Sequence, residues 1–96
     1  MERNMPVRER RIPPPGLGEL VRTARMRHGW RLREAARIMQ ISASYLCRIE
    51  TGERCPSTVV AHRLAEMLPM TESERTELFA AALPNVGRDH PSRHAA

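Results

Sequence analysis

Lysine is absent from this chain; all 16 basic side chains are arginine. Aromatic residues are almost missing too, with one each of Trp30, Tyr45 and Phe79. A core here has to be filled by Leu, Ile, Val, Met and Ala, which suits helices packed on helices. Few β-branched runs exist to build a sheet. Cysteine is scarce. Cys47 and Cys55 alone make no disulfide framework, and in a reducing compartment they are free thiols. Long apolar runs are lacking as well: Leu78 to Leu83 falls far short of the roughly 20 residues that span a bilayer. Met1 to Pro15 is charged and proline-rich, unlike a signal peptide. These absences point to a soluble cytoplasmic protein without a membrane partner. The length of 96 residues allows one small domain plus tails.

What is present is positive charge, +5 overall. An excess of this sign points to an anionic partner, with nucleic acid the leading case. The choice of arginine over lysine fits the codon usage of a GC-rich genome, but that does not account for the net charge. The charge is also uneven. Residues 1–37 carry +6 and residues 38–96 carry −1. The positive side is the N-terminal arm and the first two elements, and the acidic excess sits late, at Glu66, Glu72, Glu74 and Glu77.

Three segments follow from punctuation and period. Residues 1–16 read as a basic, proline-rich arm, because Pro13, Pro14 and Pro15 cannot continue a helix. Residues 84–96 read as a C-terminal tail, broken by Pro84, Gly87 and Pro91. Between them, residues 17–83 show a helical period. Leu17, Val21, Ala24 and Arg25 share a face of a first helix that Gly29 ends. A second helix runs from about Leu32 to Met39, with Ala35, Ala36 and Met39 inward. Ser42 caps a third, Ala43 to about Thr51, which Gly52 ends. Pro56 and Ser57 start a fourth, in which Val60, Leu64 and Met67 share a face. Thr71 and Glu74 form a capping box for a fifth, with Leu78, Phe79 and Ala82 as its apolar side. The expected fold is all-α, five short helices in one globule.

The informative stretch is Leu32 to Gly52, LREAARIMQISASYLCRIETG. Small Ala35 and Ala36 let two short helices approach closely, Ile41 plugs the turn, and Leu46 with Ile49 anchors the second helix. This is the signature of a helix-turn-helix, whose second helix enters the major groove of duplex DNA. On a helical wheel Ala43, Ser44, Cys47, Arg48 and Thr51 point away from the core. Ser44 can exchange a hydrogen bond with a base, Arg48 can pair with guanine O6 and N7, and Ala43 can touch a thymine methyl. Arg31, Arg33 and Arg54 flank the helix starts and the loop after the third helix, where side chains meet the phosphate backbone. Tyr45 lies at the edge of the buried side, with two roles open: a phosphate contact through its hydroxyl, or packing on the second helix. Trp30 reads as core packing between the first two helices.

Residues 17–83 resemble the lambda-repressor-like (XRE-type) helix-turn-helix family. The matching pieces are Leu20–Gly29, Leu32–Ala36, Ile41–Gly52 and Pro56–Leu68, and the run SASYLCRIETGER is especially similar to short actinobacterial members. The resemblance implies five helices, with base contacts from Ala43, Ser44, Cys47 and Arg48 and phosphate contacts from Arg31, Arg33, Tyr45, Thr51 and Arg54. It also implies a structural salt bridge between Arg25 and Glu50, since a carboxylate leaning inward needs a partner. This chain departs from the pattern at Gln40, where glycine is usual, at Leu32, where a phosphate-contacting Gln is frequent, and at Arg31, where a Ser or Thr cap is common.

Domains of this kind act as two-fold dimers on inverted half-sites. The expected dimer contacts are Leu68, Met70, Phe79 and Leu83, while Leu78 fits better in the core. Arg3, Arg8, Arg10 and Arg11 leave the arm two roles, minor-groove contact or a solubilising tail. Cys47, Cys55 and His62 have irregular spacing, and no second pair completes a zinc site. No nucleophile–histidine–carboxylate or paired-carboxylate pattern is evident, so neither an enzyme nor a cofactor is expected. The first functional expectation is a sequence-specific DNA-binding transcriptional regulator, a repressor, associated with the nucleoid when bound. The alternatives are an antitoxin that represses its own operon and binds a toxin, and an adaptor that holds a sigma factor or another regulator instead of DNA.

Overall fold

The computed structural model describes residues 12–84. The arginines of the N-terminal arm, Arg3, Arg8, Arg10 and Arg11, lie outside the described residues, as does most of the C-terminal tail. Five helices follow in order: α1 Leu17–His28, α2 Leu32–Met39, α3 Ala43–Glu50, α4 Thr58–Met67 and α5 Glu72–Ala81. Among the described residues there is no strand, only one parallel bridge pairing Ser57 with Leu83. No helix among them is long and apolar enough to cross a membrane.

The helix ends are set by local chemistry. Ser42, Ser57 and Thr71 each accept, through the side-chain oxygen, the N–H of the residue three further on. That satisfies one of the donors a helix start leaves unpaired. Glu74 returns the favour at α5, accepting the Thr71 N–H at 2.9 Å. At α2 the cap is Arg31, which offers no acceptor, but the Glu34 carboxylate takes the Arg31 N–H at 3.3 Å. Gln40 ends α2 in the left-handed region with φ of 61°. There its N–H donates to the Arg37 carbonyl at 3.1 Å and the Ile41 N–H to the Ala36 carbonyl at 3.0 Å. The Met39 carbonyl at the same end accepts from Arg63 Nη1 at 2.8 Å, so α4 helps hold the turn between α2 and α3.

One core serves all five helices. Leu17, Val21 and Ala24 of α1, Ala35, Ala36 and Met39 of α2, Leu46 and Ile49 of α3, Val60, Ala61 and Leu64 of α4, and Leu78 with Ala81 of α5 are buried together. α3 lies between α1 and α2, and α4 packs on α5. Gly18 permits the close approach of α1 to α3: a Cβ there would overlap the Glu50 carbonyl oxygen and sit 2.8 Å from the Ile49 carbonyl oxygen. Two apolar assignments shift. Met67 is exposed, and its expected place is taken by Ala61 and Leu68. Phe79 is 37% exposed and lies tilted against His62 with ring centres 4.7 Å apart. Trp30 is half-buried, packed against the core and stacked on His28 at 3.8 Å.

Candidate nucleic-acid interface

Within the α2–turn–α3 unit, α3 offers a polar face. Ser44, Cys47, Arg48 and Thr51 are all exposed. At spacings of three, four and seven residues they form one stripe along α3. Ser44 and Arg48 stand about 6 Å apart along the axis. Ala43, at the start of the stripe, is half-buried and leans on the core, leaving only part of its methyl to a ligand. Among the described residues no group of three or more His, Cys, Asp or Glu could hold a metal ion. The stripe itself offers small polar side chains and one long guanidinium, that of Arg48.

The opposite face of α3 is anchored. Leu46 and Ile49 are fully buried. Arg25 Nε donates to Glu50 Oε2 at 2.7 Å and Arg25 Nη2 to Glu50 Oε1 at 3.0 Å. Both side chains are largely out of solvent, 11% and 5% exposed. The hydrogen bond to Glu50 holds the Arg25 guanidinium above its ordinary range against the opposing cost of burial. A helix fixed in this way presents its stripe with a set rotation, which is what a rigid groove ligand demands.

Exposed basic side chains lie on α2 and in the loop that follows α3. Arg31 and Arg33, at the start of α2, are exposed. Arg37, one turn beyond Arg33 and also exposed, extends that row; a wheel restricted to α3 does not bring it forward. Arg54, in the α3–α4 loop, has its guanidinium carbon 5.7 Å from the centre of the Tyr45 ring, within range of a cation–π contact.

Three expected site residues need correction. Tyr45 does not reach for phosphate: it is 5% exposed, and its hydroxyl oxygen accepts the Ser57 N–H at 3.0 Å. It packs inward and ties α3 to the start of α4. Leu68 and Met70 are 3% and 9% exposed, members of the core cluster, so they offer nothing to a second copy. They sit in the short link after α4, folded under it. Phe79 and Leu83 retain exposure. Thr51 is exposed, but its hydroxyl lies 3.3 Å from the Arg48 carbonyl and 3.2 Å from Glu53 Oε2. A phosphate contact would have to replace those bonds.

Comparison with known families finds a helix-turn-helix domain. The model of the helix-turn-helix domain covers residues 16–78, about two thirds of the chain. No curated protein matches the chain, and no solved structure does.

Proposed function

This chain belongs to the helix-turn-helix domain family, which suggests a DNA-binding regulator, and on that premise we propose that it is a sequence-specific transcriptional regulator that reads the major groove with α3. The observation that carries this reading is the α3 stripe of Ser44, Cys47, Arg48 and Thr51, exposed on a helix whose other face is locked by Leu46, Ile49 and the Arg25–Glu50 pair. Arg48 forks onto guanine O6 and N7, Ser44 reads a neighbouring base, and Cys47 and the exposed part of Ala43 make close apolar contact. Arg31, Arg33, Arg37 and Arg54 neutralise phosphates on either side and fix the register.

The regulator acts in the cytoplasm as a repressor, because occupying an operator excludes polymerase without a second protein surface. It binds as a two-fold dimer on half-sites about one helical turn apart. The exposed, tilted His62–Phe79 pair and the half-buried Leu83 support a contact made by the α4–α5 side. The residues of the N-terminal arm add phosphate or minor-groove contacts through Arg3, Arg8, Arg10 and Arg11.

Selection of duplexes from a random-sequence pool, followed by gel shift, tests this proposal. The expected outcome is an enriched, inverted-repeat site whose binding is lost with Arg48→Ala. Absence of any duplex binding at low salt would overturn it and leave the adaptor reading in its place.

A further inference from the structure

The loop between α3 and α4 is held at both ends. Its first half hangs from the end of α3, where the Arg48 carbonyl accepts the N–H groups of Glu53 at 2.8 Å and Arg54 at 3.2 Å. Its second half is clamped by the segment that follows α5. The Leu83 N–H donates to the Pro56 carbonyl at 2.9 Å, and the Thr58 N–H donates to the Leu83 carbonyl at 2.7 Å. Thr58 Oγ1 donates to the same carbonyl at 3.0 Å. Between these two residues Ser57 donates its N–H to Tyr45 Oη on α3. Tyr45, the loop and Leu83 are thus one hydrogen-bonded unit, with the Arg54 guanidinium set beside the Tyr45 ring.

We propose that residues 82–84 form a strap that positions Arg54 for phosphate, so that the DNA affinity of α3 depends on Leu83 staying paired. This rests on the DNA-binding reading above. Leu83 lies beyond residue 78, where the family match stops. It is joined to the loop across 25 residues of sequence, so the contact is tertiary and separable from the helix-turn-helix itself. The bonds it makes can be exchanged for water at small net cost, because Thr58 is exposed and Leu83 only half-buried. The strap can therefore leave while the core stays folded. A partner that captured Leu83 would free the second half of the loop and weaken the grip of Arg54 without touching α3.

Thr58→Pro in the full chain tests the strap. Proline suits the first position of a helix, whose N–H has no partner within it. Ser57, with ψ of 164°, already has the extended backbone that precedes a proline. The substitution removes both donors to Leu83 and leaves α4 intact. The probe is the duplex that the wild-type chain selects from a random pool. The expected result is unchanged helix content by circular dichroism, faster exchange of the Leu83 amide, and affinity lower by roughly tenfold. The salt slope becomes shallower by about one, and Arg54→Ala added to Thr58→Pro causes little further loss. If that variant does not fold, Thr58→Val deletes the hydroxyl bond alone and gives a smaller loss in the same direction.

Wild-type affinity and salt slope in a folded Thr58→Pro protein, or in Thr58→Val where that stands in for it, would overturn the strap, as would unchanged affinity in Arg54→Ala alone. A loss on Arg48→Ala would leave the DNA reading standing in those cases. Failure of the wild-type chain to select any duplex takes both down.

Discussion

The Arg25 guanidinium holds both carboxylate oxygens of Glu50 and, through Nη1, the carbonyl oxygen of Trp30 at 2.8 Å. One side chain thereby joins α1, the α1–α2 connection and the end of α3. Removing either partner strands a charge in a site where water has little access. Arg25→Ala and Glu50→Ala are each expected to cost about 3–5 kcal/mol in urea unfolding. The double variant should lose less than the sum, because the stranded charge is gone. A loss below about 1 kcal/mol for either single variant would show the pair to be no more than a surface bridge.

Gly18→Ala separates close packing from helix propensity. At an exposed helix position this change stabilises by about 1 kcal/mol. Here the new Cβ would meet backbone atoms of Ile49 and Glu50, which cannot swing aside as a side-chain tip can. The expected outcome is the opposite sign, a loss of about 1–3 kcal/mol, together with weaker DNA binding as α3 is displaced. A raised melting temperature would contradict the observed approach of α1 to α3.

Gln40→Gly should stabilise. Gln40 has φ of 61°, in the region where a side chain is strained and glycine is not. Relief of that strain outweighs the extra freedom glycine gives the unfolded chain, for a net gain of about 0.5–1 kcal/mol. Thermal or urea unfolding of the two proteins side by side decides it, and a loss of stability would contradict the strain.

The acid limb of stability carries a contribution from Glu74. Two Arg27 N–H donors, and then the Thr71 N–H, hold its carboxyl below the usual 4.5. A carboxyl depressed on folding stabilises the folded state above its unfolded value. That contribution fades as pH falls below 4.5 and through the lower folded value. Glu74→Gln should therefore melt below wild type near neutral pH, and the gap should close as the pH is lowered through this window. A gap that is constant with pH would assign the effect to the capping hydrogen bond alone.

The parts of this molecule that announce themselves in sequence are those with local causes. Ser42 and Thr71 are recognisable caps because the residues that need them follow within one turn. Gly29 and Gly52 mark helix ends. Arg25 and Glu50 attract notice as charges on apolar rows, and the structure pairs them. Tyr45 sits on the boundary of the α3 wheel, where rotation alone gives two answers; what decides is Ser57, twelve residues on, whose N–H needs an acceptor. Leu68 continues the row of Ala61 and Leu64 one residue past the end of α4, where Met67 competes for the same face. Met70 lies beyond that period, with no rhythm to reveal its burial. Gly18 carries no side chain to betray the backbone it faces. Leu83 reads as the end of a helix and is instead paired with Pro56 and Thr58, a contact set by how α4 and α5 stack.

Base reading by α3 turns on Arg48. Parallel selections from one random duplex pool, with wild type and with Arg48→Ala, report its role base by base. The prediction is that the variant loses discrimination at one guanine in each half-site, worth about 1–3 kcal/mol, while the other positions and the salt slope persist. An identical site profile and affinity in the two proteins would contradict the assignment of the α3 stripe as the reading surface.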